Sequence, residues 1–333
     1  MVSRESAFIL NNLLFVAFTF TVLLGTTFPL IVEAVNGNRV SVGPPYFNMV
    51  SIPIGVLLLF LMGVGPALPW RRTTPGKMKR AFVVPVVVGL ASGLLGFVLG
   101  TRSFWPLVTF TFAGFVMATI GEEFRKGVRA RQRIAGVSAP VALGQILTRN
   151  NRRYGGYIVH AGIVVIIVAL AISGTYRFER EVTLQRGELM QLGDYGIVFD
   201  EVWAEEQEQR FVVGGTFTVF HRGNEVGVMQ PSLKYYPNAQ QPIGTPDVRS
   251  TLKEDLYLTL MAFDREEGRH ATIRAIVNPA VPWLWIGGMI VALGAILAVM
   301  PQRGSGRPAV SAVAIALEEE SAELADEPVT VTV

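Results

Sequence analysis

Chemistry in this 333-residue chain must be carried by few side chains: it holds three histidines and no cysteine. Without thiols there is no disulfide, no thiolate metal site and no thiol–disulfide exchange by the chain itself. His221 and His270 stand at or beside the turn signals His221-Arg222-Gly223-Asn224 and Asp264-Arg265-Glu266-Glu267-Gly268. Both are expected to be solvated turn residues. His160 is different, because it follows Arg153 by seven residues inside an otherwise uncharged apolar segment. At helical rise that places it about 10 Å into a bilayer. Ionisable groups at such depth are costly and face a bundle interior, a cavity or a cofactor.

Three roles for His160 follow. It hydrogen-bonds a neighbouring helix, it relays protons, or it ligates heme iron through its neutral imidazole. The relay lacks an acidic or lysine partner within the apolar segments. The local sequence Tyr154-Gly155-Gly156-Tyr157-Ile158-Val159-His160-Ala161-Gly162 puts Gly156 and Tyr157 on the histidine's own helical face. A missing side chain one turn away leaves room for a flat macrocycle or for close helix packing.

The elements that hold these residues are read from hydropathy. Half of the residues are hydrophobic, 17% are charged and the mean hydropathy is +0.42. A span needs roughly 20 apolar residues. Six charge-free windows qualify: Ile9–Val32, Tyr46–Trp70, Ala81–Thr101, Ser103–Gly121, Tyr154–Tyr176 and Ala275–Gln302. The first is too long for a signal-peptide core and should stay in the mature protein. Basic residues crowd two loops, Arg71 to Arg80 and Arg125 to Arg153, which therefore face the cytoplasm together with both termini. The net charge of +3 is thus a membrane-topology signal and does not indicate nucleic-acid binding. Pro44-Pro45 predicts a stiff, extended entry into the second span.

The resulting organisation is a polytopic α-helical membrane protein with a small extracytoplasmic all-β domain between its last two helices. Residues 1–121 form four transmembrane helices, and 122–153 form a basic cytoplasmic linker that begins as a continuation of the fourth helix and holds an interfacial helix at Pro140–Leu147. Residues 154–176 are the helix bearing His160, 177–277 the β domain, 278–302 the last helix and 303–333 a disordered cytoplasmic tail. Period-two alternation at Leu256, Leu258 and Leu260 supports the strands. Trp283 and Trp285 fit an aromatic anchor at the outer membrane interface.

Five stretches, in order, resemble the carboxyl-terminal half of the CcmF family of cytochrome c maturation proteins, the membrane heme lyases. They are Ser3-Arg4-Glu5-Ser6 with Asn11-Asn12, Ser41 to Asn48, Asn151 to His160, Asp255-Leu256-Tyr257 and Pro282 to Gly288. The resemblance implies that His160 is one of two intramembrane histidines ligating the iron of a b-type heme. The second axial ligand is then expected from the absent amino-terminal half. That half also carries the family's tryptophan-rich segment, which none of the five tryptophans here forms. Arg152 and Arg153 become candidate heme-propionate contacts, with anchoring of the positive side as their other role.

By the same resemblance, heme arrives from the chaperone CcmE and is joined to the Cys-X-X-Cys-His thiols of apocytochrome c. The expected partners are the amino-terminal half, CcmE, apocytochrome c, thiol-handling proteins such as CcmH, and membrane lipid, with no nucleic acid. The expected location is the inner (cytoplasmic) membrane, and the chain is expected to be inactive as a lyase without its other half. From the residues alone, a transporter or channel subunit gated by His160 and a cofactor-free assembly scaffold stay open.

Overall fold

The computed structural model describes residues 4–67, 75–239, 241–264 and 268–301. Trp70, most of the first basic loop, the Arg265–Glu267 turn and the tail expected over 303–333 lie outside them. Among the described residues, six helices are long and apolar enough to cross a membrane. They are α1 (Arg4–Asn36), α2 (Pro44–Ala67), α3 (Pro75–Val98), α4 (Phe104–Ala135), α6 (Asn151–Tyr176) and α7 (Pro282–Val299), with the shorter α5 (Ala139–Arg149) before α6.

Two expectations need correction. Pro44 and Pro45 do not make an extended entry but open α2, because proline in a first helical turn loses no hydrogen bond and already has helical φ. The last charge-free window, Ala275–Gln302, is two elements. Its first residues, including Asn278 and Pro279, belong to a strand that pairs with Asp255 and Glu254. Arg274 is the last charged residue before α7, so strand and helix merge into one apolar run. The fourth helix, by contrast, runs on past its apolar window as expected. It continues through Glu122 and Glu123 into the basic segment and stops at Gly136, whose φ of 64° suits glycine at a helix end.

Lipid tails are as apolar as leucine, so membrane helices associate through close packing. α6 and α7 run antiparallel and meet through glycines seven residues apart on each. A Cβ on Gly155 would lie 2.7 Å from the Gly294 carbonyl oxygen, and one on Gly162 would lie 2.8 Å from that of Gly287. α3 and α4 use the same device, with Gly89 against the Thr111 carbonyl at 2.7 Å and Gly114 against Ser92. α5 lays Ala142 and Ile146 inward, both buried.

Between α6 and α7 the chain forms ten strands in two antiparallel sheets. One sheet has the order β1 (Phe178–Gln185), β10 (His270–Pro279), β9 (Glu254–Phe263) and β8 (Asp247–Ser250). The other has β2 (Leu189–Leu192), β3 (Tyr195–Gln207), β4 (Arg210–His221), β6 (Ser232–Tyr235) and β7 (Ile243–Thr245), with β5 (Asn224–Met229) beside β4. Inward alternation along β9 and β10 buries Leu256, Leu258, Leu260, Ile273, Ala275 and Val277 against Phe199, Phe217 and Val219 of the facing sheet. Strands β1 and β10, which leave and re-enter the helix pair, are themselves paired from Phe178↔Val277 onward. The helical hairpin is thereby continued as a strand pair.

The β4–β5 turn has positive φ at Arg222 and Gly223, 53° and 83°, as a two-residue hairpin requires. His270 is exposed at the start of β10. His221 is not the solvated turn residue expected. It closes β4 with its ring 4.9 Å from that of Tyr195, and its Nε2 is enclosed without a hydrogen-bond partner. The inward alternation of β4 extends to its last residue, which pulls His221 towards the core.

Tyr195 spans the two sheets by donating to Glu254 Oε1 at 3.2 Å. Burial, and secondarily the Glu254 carboxylate, push its hydroxyl up to about 12. An unfolded tyrosine ionises near 10, so this contribution to stability is complete below pH ~10 and is lost as pH rises from there towards 12. Unfolding midpoints of the whole chain in detergent between pH 9 and 11 should fall, and Tyr195→Phe should flatten the decline; an unchanged slope contradicts the assignment. For the helix pair, Gly294→Val should cost about 1–3 kcal/mol by overpacking, read as a lowered thermal midpoint. Gly288→Ala, where an added Cβ meets nothing within 4 Å, should leave that midpoint unchanged.

Candidate functional site

The sequence Asn151 to His160 reads in the structure as a series of separate duties on α6. Asn151 is almost fully buried, and its side-chain amide donates to the Met300 carbonyl at the end of α7. Its Oδ1 accepts the Arg152 N–H at 2.9 Å. The Arg152 side chain is exposed. Tyr154 is buried beside Phe124 of α4, with ring centroids 5.0 Å apart. Gly155 turns to α7, whereas a Cβ on Gly156 would meet nothing within 4 Å. The two adjacent glycines thus serve different faces, one for close packing and one for open space.

That open space belongs to a cavity of about 1040 Å³, at the upper end of the range for small-molecule sites. Its walls are mostly apolar, with Phe8, Phe15 and Phe18 from α1 and Leu59 and Met62 from α2. α6 contributes Arg153, Gly156, Tyr157, His160, Ile163 and Ile167. Two of the three residues named from sequence as site candidates, His160 and Arg153, therefore share one cavity, and Arg152 is not in its wall. His160 Nδ1 is buried without a hydrogen-bond partner. Leaving such a nitrogen unsatisfied costs free energy, which a ligand can recover.

The polar end of the cavity contains a residue that the hydropathy windows passed over. Glu123 of α4 is 8% exposed and lies in the cavity wall. Its carboxylate accepts from the Arg153 guanidinium, from the Tyr157 hydroxyl at 3.3 Å and from Lys126 Nζ at 3.0 Å. Arg153 Nε also donates to the Tyr157 hydroxyl at 3.1 Å. Glu123, just past the apolar window, thus lines the same cavity as His160. A window cut at the first charge ended at Gly121, two residues short, although the helix continues. The signal available was the Glu122-Glu123 pair directly after a long apolar run with no helix breaker between them.

In the cavity wall the Arg153 guanidinium is paired with the Glu123 carboxylate, while Lys126 reaches that carboxylate from outside the wall. The site therefore joins an apolar slot, an imidazole with a free nitrogen and a polar end that presents an arginine paired with a carboxylate. These features match a flat apolar macrocycle with an iron centre and acidic substituents. An imidazole is a donor that such an iron would accept, and Gly156, one turn before it, leaves the adjoining helix face clear. Among the described residues no group of three or more histidine, aspartate or glutamate side chains could hold a bare metal ion.

Residues 175–279 match the family model described as the CcmF C-terminal beta-sandwich. The cytochrome c-type biogenesis protein CcmF of Pseudomonas fluorescens is 30% identical over 303 residues, covering 90% of this chain and 44% of the relative. CcmF of Escherichia coli K12 is 30% identical over 304 residues with the same coverage, 90% and 44%. The biogenesis protein ccl1 of Rhodobacter capsulatus is 26% identical across 96% of this chain and 48% of its own length. A solved structure titled Cytochrome c Heme Lyase CcmF superposes with a TM-score of 0.70 at 32% identity, over 90% of this chain and 46% of that one. The chain spans about half the length of the curated relatives it matches. It belongs to the CcmF family of cytochrome c biogenesis proteins and corresponds to the carboxyl-terminal half of its members.

Proposed function

We propose that the chain acts in cytochrome c maturation as the carboxyl-terminal half or subunit of a CcmF-like heme lyase, with His160 as an axial ligand of a membrane b-type heme. The observation that carries this is the imidazole with an unpartnered Nδ1 in the wall of a large apolar cavity. The relatives favour this role over a transporter subunit or a cofactor-free scaffold.

In this reading each residue has a defined task. His160 donates a nitrogen lone pair to iron and does not act as a catalytic base. Gly156 keeps the helix face clear for the macrocycle. Glu123 and Tyr157 fix the Arg153 guanidinium at the cavity's polar end, where it can pair with a propionate. Arg152, exposed outside the cavity wall, serves the positive side of the membrane. When bound, the heme supplies a one-electron couple that keeps delivered iron reduced.

One histidine supplies one axial position, so the second ligand comes from the amino-terminal half. The basic loops put both termini in the cytoplasm and the β-sandwich outside it, at the inner (cytoplasmic) membrane. There it would wall the space where heme from CcmE meets apocytochrome c and its thiol-handling partners such as CcmH. Thioether bonds to the heme vinyl groups would form there, and a chain without cysteine offers no competing thiol.

The test is to co-purify the chain with its amino-terminal half and measure heme by pyridine hemochrome. The pair should carry b-type heme, and His160→Ala should remove most of it while the two halves still co-purify. Full heme loading in the variant contradicts the assignment.

A further inference from the structure

The β-sandwich is joined to the helices by more than its two chain crossings. Ala280 links β10 to α7 in a left-handed conformation, φ 62°, which is uncommon for a residue with a side chain. It is buried, and its N–H donates to the Lys253 carbonyl at 2.8 Å in the β8–β9 turn. Three residues on, the Trp283 indole N–H donates to the Leu252 carbonyl at 2.9 Å. The turn Thr251–Lys253 is thus held by both its neighbouring carbonyls at the level where α7 begins.

That level is a membrane boundary, because α7 is a membrane-crossing helix that starts at Pro282. Trp283 is half-exposed and Trp285 largely exposed, as expected for aromatic side chains at the junction of headgroups and acyl chains. At this same height Leu252 is 73% exposed, a large apolar side chain at the tip of a turn with nothing among the described residues over it. The adjacent Lys253 ammonium is also exposed, 3.5 Å from Glu254. An apolar tip flanked by a cation and an indole is the chemistry that a lipid surface accommodates.

We infer that the β8–β9 turn is a lipid-contacting anchor, with Leu252 entering the boundary between headgroups and acyl chains and setting the height of the β-sandwich over the bilayer. Leu252 has no assigned role in cofactor binding, and the inference is independent of His160.

The absence of native cysteine allows a single spin label to be placed cleanly. Leu252→Cys, and Glu208→Cys in the β3–β4 turn at the far end of the sandwich as an aqueous reference, are labelled in the full chain. Both are studied in nanodiscs of phosphatidylethanolamine and phosphatidylglycerol. Oxygen concentrates in acyl chains and a nickel chelate stays in water. The label at position 252 should show an oxygen-to-nickel accessibility ratio severalfold above that at 208. Equal ratios overturn the anchor by placing Leu252 in water. Shielding of position 252 from both probes overturns it too, by showing a protein surface over the turn.

Discussion

The contact on which the rest depends is the glycine seam between α6 and α7. Gly155 against Gly294 and Gly162 against Gly287 bring the two backbones to a distance that no side chain would permit. With α7 occupying one face of α6, a different face is free to hold Gly156 and His160 towards the cavity. The seam also fixes where the β-sandwich stands. Its flanking strands emerge side by side only because the helices that feed them are already side by side. A wider helix pair would splay the strand pair at Phe178 and Val277 and tilt α6 against α4.

A second constraint is electrostatic. Glu123 is held in an almost fully buried position by contacts from two elements, Arg153 and Tyr157 on α6 and Lys126 on its own helix. Burial of a lone carboxylate would be prohibitive, and the partly exposed Arg153 supplies the compensating charge. Together they make the cavity's polar end and couple α4 to α6 across the site. An anionic substituent entering there meets an arginine that is already oriented, at the cost of sharing it with Glu123.

Much of the fold was legible in the sequence because lipid imposes a simple rule on it. Six apolar windows are six helices, and the change to period-two alternation marks the sandwich. The errors share a cause. Windowing by charge sees where charge begins, not where a helix ends, so the fourth window stopped short of Glu123 although its helix was expected to run on, and the last window fused β10 to α7. Pro44-Pro45 was misread because proline's fixed φ suits both an extended segment and a first helical turn, and only the following helix decides. For the site, His160 stood out by its depth, and Gly156 by its spacing. The Glu123–Arg153–Tyr157 cluster did not, since its partners lie 30 and 34 residues apart. The division of duty between Gly155 and Gly156 also depends on which face α7 takes, which sequence alone does not give.

The central claim is that this chain offers half of a heme-ligand pair. The most direct measurement is the visible spectrum of reduced heme bound to the chain before and after the amino-terminal half is added. One histidine should give a five-coordinate, high-spin spectrum for the chain alone, and the added half should convert it to the split bands of six-coordinate, low-spin heme. A six-coordinate spectrum in the chain alone that survives His160→Ala would contradict the account.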